Sequence, residues 1–123
     1  MEAEALIQEI WRRYRAKPEY LWKSAPGFCV FRHEKNKKWF AVLMKGVSVK
    51  SLGVDKSEFE GVKTLDILNL KIEPNLGEIL RDGKSIIEAY HMNKKHWISV
   101  VPGVCDEATT YDLIEESYKL TKK

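Results

Sequence analysis

The sequence predicts an α+β fold, an antiparallel β-sheet covered on one face by an N-terminal and a C-terminal helix. Three observations predict it. Both ends of the chain carry apolar residues at helical spacing, and the interior carries short runs rich in aromatic, β-branched or alternating apolar residues. The whole is 123 residues, room for one core and no second catalytic domain. With 44% hydrophobic and 32% charged residues, the chain buries enough surface to fold, which excludes disorder as its main state. No apolar run approaches the roughly 18 residues of a bilayer span. The start Met1-Glu2-Ala3-Glu4 has neither a basic segment nor an apolar one behind it, so a cytoplasmic protein without a signal peptide is expected.

Between Glu2 and Arg15, Leu6, Ile7, Ile10, Trp11 and Tyr14 form one stripe of a helix that ends before Pro18. Its acids Glu2, Glu4 and Glu9 precede its bases Arg12, Arg13 and Arg15, the order a helix dipole favours. Phe28 to Glu34 and Lys38 to Met44 are strand-like runs around Glu34-Lys35-Asn36-Lys37, and read as a β-hairpin. Strict alternation sets Trp39, Ala41 and Leu43 opposite Phe40, Val42 and Met44. Apolar residues on both faces predict a central place in the sheet.

Gly46 to Val54 reads either as a further strand or as an irregular return, and Asp55 to Lys63 as a loop or single turn. Leu65 to Ile72 alternates as a half-buried strand. Pro74 opens a short helix with Leu76, Ile79 and Leu80 on one side and Gly83 placed to cap it. Ile86 to Tyr90 and Trp97 to Val101 are short strands, and Asp106 is the N-cap of a last helix running to about Leu120. There is no internal repeat, low-complexity tract or linker, so residues 1–123 are read as a single domain.

Catalytic and metal motifs are lacking. Cys29 and Cys105 match no metal spacing and read as free buried thiols. His91 and His96 are five apart, off the i,i+4 spacing of a helical metal pair, with no acid or thiol beside them. No nucleophile elbow or phosphate-cradling glycine loop occurs. No cofactor, no metal and no enzymatic activity are therefore expected.

The formal charge is only +3, yet residues 23–95 carry 14 Lys+Arg against 9 Asp+Glu, while residues 1–22 balance and residues 96–123 sum to −2. From Phe28 to Lys50 the bases Arg32, Lys35, Lys37, Lys38, Lys45 and Lys50 face the single acid Glu34, with Trp39 among them. A basic hairpin of this kind can lie along a phosphate backbone. Lysines at a hairpin also serve simply to keep strand edges soluble.

The segment Tyr90-His91-Met92-Asn93-Lys94-Lys95-His96-Trp97, followed by Ile98-Ser99-Val100, resembles the signature of the MmcQ/YjbR family. Gly27-Phe28-Cys29-Val30-Phe31 and Lys38-Trp39-Phe40-Ala41 resemble that family's first hairpin, Leu70-Lys71-Ile72-Glu73-Pro74 its next strand, and Leu113 to Tyr118 its last helix. Ala89 stands where the family often has Gly. The resemblance implies a frataxin-like or CyaY-like fold and a DNA-binding role in the bacterial cytoplasm. Iron donation in that fold uses an acidic first helix and strand, whereas here the helix is balanced and the hairpin basic.

Two functional readings follow. In the first, DNA is bound by Arg32, Lys35, Lys37, Lys38 and Lys45 and by a second basic loop of Asn93, Lys94 and Lys95, with Trp39 or Trp97 available to stack. In the second, Tyr90 to Trp97 form a rigid structural shelf of a protein-interaction or small-ligand module, and the lysines are merely solvated.

Overall fold

The computed structural model describes all of residues 1–123. In chain order come α1 (Ala3–Tyr14), β1 (Phe28–Arg32), β2 (Trp39–Ser48), β3 (Thr64–Lys71), α2 (Pro74–Leu80), β4 (Ile86–Glu88), β5 (Trp97–Val100) and α3 (Glu107–Thr121). The strands form one sheet in the order β1-β2-β3-β5-β4, every neighbouring pair antiparallel. This is the α+β architecture the sequence predicts.

The sheet has two covered faces of unlike construction. On one, Leu6 and Ile10 of α1 and Leu113 and Ile114 of α3 pack with Cys29, Phe31, Leu43, Leu68, Leu70 and Ile98 into a cluster of 18 buried residues. Helix α2 closes onto the same cluster through Leu76 and Leu80. It comes close because Gly77 lacks a side chain: a Cβ there would lie 3.1 Å from Ile72 Cγ2. On the other face Val30, Val42, Met44, Ile67 and Ile87 are covered by irregular chain bearing Val49, Leu52, Val54 and Phe59. Trp22, Phe28, Trp39, Tyr90 and Met92 are only partly buried at its margin.

Three expectations are corrected. The hairpin is not central, because β1 is an edge strand; its outer edge is covered instead by the segment at Glu19, which exchanges two 2.9 Å backbone hydrogen bonds with Val30. Alternation along β2 breaks at a bulge, where Phe31 pairs with Ala41 and Arg32 with Trp39. The extra residue turns Phe40 to the helix-covered face with Ala41 and Leu43, and leaves Trp39 on the other face beside Val42 and Met44. Third, α2 ends at Leu80, and the cap residue Arg81 has φ −65°. Gly83 (φ 76°) serves the following turn, in which Asp82 Oδ1 accepts from the backbone N–H groups of Lys84, Ser85 and Ile86. Those donors hold the Asp82 carboxyl well below the usual carboxylate range, against the opposing effect of its partial burial.

Gly46 to Val54 is divided. Strand β2 runs on to Ser48 past a second bulge between Met44 and Val47, and a 3-10 turn covers Val49–Ser51. Asp55 to Lys63 contains the single turn Lys56–Phe59, capped by the Asp55 carboxylate. Trp11 leaves the expected α1 stripe: it is 40% exposed, while Ala3 takes a buried place.

Candidate functional site

The hairpin turn is built to hold two lysines in solvent. Lys38 C=O accepts from His33 N–H at 2.9 Å, and Asn36 Oδ1 accepts from Lys38 N–H at 2.9 Å, a local side-chain turn of the kind Asn favours. Asn36 Nδ2 donates to Thr121 C=O at 2.8 Å, which satisfies a carbonyl at the open end of α3. His33 is buried; its Nε2 lies 2.7 Å from Thr121 Oγ1, and its ring packs against Phe40 and Tyr118. Burial lowers its pKa, and the nearby Lys122 and Lys38 push it the same way. The turn is thus fastened to α3, with Lys35 and Lys37 exposed and absent from every ion pair. Lys37 adopts a left-handed φ of 63°.

Other bases arrive here from both helix ends. An adjoining groove of about 410 Å³ has the bases Arg15, Arg32, Lys35 and Lys122 and the single acid Glu34 in its walls, with Tyr14 and Tyr118. A second, of about 490 Å³, brings Arg15, Lys17, Arg32 and Lys37 together with Glu19 and Glu34. Exposed Trp11 lies between two of these cations, its ring centroid 5.3 Å from the Arg15 guanidinium carbon and 5.7 Å from Lys17 Nζ.

Arg15, Lys17 and Lys122 are the bases that segment sums conceal. Residues 1–22 balance because Glu2, Glu4 and Glu9 along α1, with Glu19 beyond it, cancel Arg12 and Arg13 at its C-terminal end and Arg15 and Lys17 just past it. In a 12-residue helix those groups stand up to about 18 Å apart. Helix α3 repeats the order, with Glu107 in its first turn and Lys119 in its last. The cations at both C-terminal ends therefore gather beside the hairpin, where Glu19 and Glu34 are the acids that share their grooves. Helix-dipole charge order was the signal available in the sequence.

Not every expected base is free. Arg32 makes a bidentate pair with Glu19, 2.7 Å for each bond, and the same guanidinium holds the Glu19 carboxyl below its usual range. Lys38 Nζ donates to Lys123 C=O at 2.9 Å. Lys45 is removed from the site altogether: it lies at the opposite end of β2, about 20 Å of strand from Trp39, and pairs with Glu4 at 3.1 Å. Lys50 is exposed within the 3-10 turn on the far face. Trp39 faces the other side of the sheet, so the aromatic rings beside the basic end are Trp11, Tyr14 and Tyr118.

The Tyr90 to Trp97 loop is held by its backbone and by the side chains of Asn93 and Lys94, while Lys95 is exposed and absent from every ion pair. Asn93 Oδ1 accepts from the N–H of Lys95 at 2.9 Å and of His96 at 3.2 Å. Ile72 N–H donates to His96 C=O at 2.9 Å. Lys94 Nζ donates to Ala89 C=O at 3.0 Å, and Arg81 reaches Lys94 C=O. At the loop's start Asn69 Nδ2 donates to Tyr90 C=O at 2.9 Å, Tyr90 N–H donates to Ser99 Oγ at 2.9 Å, and Ser99 Oγ–H donates to Asn69 Oδ1. Asn69 and Ser99 are fully buried, so this closed ring of bonds anchors the loop. Buried Trp97 lies under Lys71, whose Nζ is 5.4 Å from the ring centroid; it is not presented for stacking. Ala89 takes an ordinary φ where the family often has Gly, and the left-handed residue is His91, φ 57°. Lys94 and Lys95 line neither of the grooves that collect the hairpin bases.

Both cysteines are free and buried, and burial raises the Cys29 thiol to about 11, far from the thiolate form. No cluster of three or more His, Cys, Asp or Glu side chains is placed to hold a metal.

The YjbR family model matches residues 3–120. An uncharacterized protein YyaQ of Bacillus subtilis (strain 168) is 40% identical over 120 residues, covering 97% of each chain. An uncharacterized protein YbdF of Escherichia coli O157:H7 is 35% identical over 103 residues, covering 83% of this chain and 70% of its own. A crystal structure of a Pseudomonas syringae protein superposes with a TM-score of 0.88 at 36% identity, covering 98% of this chain and 99% of the other. A Deinococcus radiodurans structure shares the fold at a TM-score of 0.71 and 22% identity, covering 100% of this chain and 80% of its own.

Proposed function

We propose that this chain, which belongs to the YjbR family, is a non-enzymatic nucleic-acid-binding protein that takes a DNA backbone on the basic end of its sheet. One observation carries this reading: Lys35 and Lys37 of the hairpin stand in common grooves with Arg15, Lys17 and Lys122 from the C-terminal ends of α1 and α3. Cations on separate elements repel one another, and a polyanion relieves that repulsion along a line a phosphate backbone can follow. The turn that carries the lysines is pinned by Asn36 and His33, so little ordering entropy is lost on contact. Phosphate contacts fix position without reading bases, and the reading predicts binding of modest affinity.

Three to five phosphate contacts give a slope of log K against log salt of about −3 to −4.5 on duplex DNA. Fluorescence anisotropy of a labelled duplex at 50 and 150 mM salt measures it. A slope near zero, or no binding at 50 mM, excludes the reading.

The second reading, a protein-interaction or small-ligand module with a structural loop, draws support for its small-ligand form from the grooves that the Tyr90 to Trp97 loop helps to line.

A further inference from the structure

Two grooves meet at His91, and the basic end uses neither. The first, of about 310 Å³, lies on the sheet face without helices, where Trp22, Phe28, Trp39 and Met92 stand over Val42 and Met44. Trp22 meets Phe28 edge-on (centroids 6.2 Å, 73° between planes) and Trp39 likewise (6.0 Å, 77°). Neither Phe28 nor Trp39 has a stacked partner in the protein, so the rings form a cup whose natural complement is a planar ring. The second groove, of about 290 Å³, is polar, with Ser51, Glu88, Lys94 and the backbone at Gly53 in its walls. Lys94 spends one donor on Ala89 C=O at 3.0 Å and has two left. His91, at the junction, holds a left-handed φ of 57°, fixed by the Tyr90 ring 4.0 Å away and by the buried Asn69 bond to Tyr90 C=O. Strained non-glycine backbone of this kind collects at ligand clamps.

We propose that the paired grooves bind a single nucleotide, with its base in the aromatic cup and its sugar and phosphate in the polar groove. Trp39 and Met92 contact the faces of the base; aromatic stacking and a polarizable thioether suit a heterocycle. Glu88 accepts from a sugar hydroxyl and Lys94 donates to the phosphate. The ligand is either a free mononucleotide or an unpaired nucleotide of a single strand, and the site is independent of the basic end.

The test is a titration followed by tryptophan fluorescence and calorimetry, using AMP, CMP, adenosine, an eight-residue oligo(A) RNA, whose sugars keep their 2′-hydroxyls, and L-phenylalanine as probes. Saturable binding of AMP or CMP identifies the free nucleotide as the source; binding of the oligonucleotide alone identifies the single strand. In either case Trp39→Leu and, separately, Met92→Glu weaken binding at least tenfold. Lys94→Gln reduces the preference for AMP over adenosine if the mononucleotide binds, or weakens the oligonucleotide severalfold if it does not. Circular dichroism of each variant establishes that it is folded, and Met92, in a half-exposed loop position, supplies the folded variant if Trp39→Leu does not. Lys35→Glu/Lys37→Glu retains this binding while losing duplex DNA, which separates the two sites. Binding of L-phenylalanine but no nucleotide, absence of binding by every probe, or nucleotide binding unchanged in the folded variants overturns the proposal.

Discussion

The hairpin turn and the Tyr90 to Trp97 loop are alike in composition and opposite in use. Each is short and basic, and each is closed by an asparagine in the same way: Asn36 Oδ1 accepts from Lys38 N–H and Asn93 Oδ1 from Lys95 N–H, both at 2.9 Å. Beyond that bond they diverge. In the hairpin His33 and Asn36 fasten the turn onto α3, Lys38 adds a bond to Lys123 C=O, and Lys35 and Lys37 are left in solvent. In the loop the fastening draws on Lys94 itself and on the buried pair Asn69 and Ser99. A lysine count therefore measures potential contact, and the hydrogen bonds decide which lysines are available for it.

The largest stability effect expected is at Asn69. Truncation to Ala leaves Tyr90 C=O and Ser99 Oγ without their buried partner and lowers stability by about 2 kcal/mol, read as a lower urea midpoint. A wild-type midpoint would remove the anchor that distinguishes the loop from the hairpin. Next come the two turn asparagines. Asn93→Ala and Asn36→Ala each lose a local bond to backbone and cost on the order of 1 kcal/mol. Only Asn36→Ala also releases the α3 end, measurable as faster amide exchange at Thr121 and Lys122. Equal exchange in the two variants would blur the comparison.

The smallest effect is one of pH, and it belongs to the hairpin. His33 is held neutral by burial and by Lys122 and Lys38, so its folded pKa lies below the unfolded value of about 6.5. Its contribution is complete above that value and is lost as pH falls from there through the folded pKa. The melting temperature is expected to drop between pH 7.5 and 5.5 and to drop less in His33→Gln. An identical drop in both would place the sensitivity elsewhere.

Much of the fold could be read from period and punctuation, because α1 and α3 each show one face to one core; β3, expected to be half-buried, is instead covered on both faces, Leu68 and Leu70 on one and Ile67 on the other. The exceptions have local causes. A single bulge reverses Trp39 and Phe40, and alternation cannot show where an extra residue falls. Strand β1 looked central because both its faces are apolar, yet irregular chain covers its second face as well as a neighbouring layer would. Of the basic end, Lys35 and Lys37 could be placed on an exposed hairpin turn from sequence, and Lys45 was grouped with them because nearness in sequence hid about six residues of extended strand. Arg15, Lys17 and Lys122 were missed because a sum along each segment erases the order of charge within a helix.

The most direct test sets the two regions against each other on one duplex at 50 mM salt. Lys35→Glu/Lys37→Glu and Lys94→Glu/Lys95→Glu change formal charge equally. The account predicts at least tenfold weaker binding for the hairpin pair and less than threefold for the loop pair; the hairpin pair melts as the wild type does, and the loop pair, which loses the Lys94 bond to Ala89 C=O, melts lower but is folded at the assay temperature by circular dichroism. Equal losses, or the larger loss in the loop pair, would contradict it.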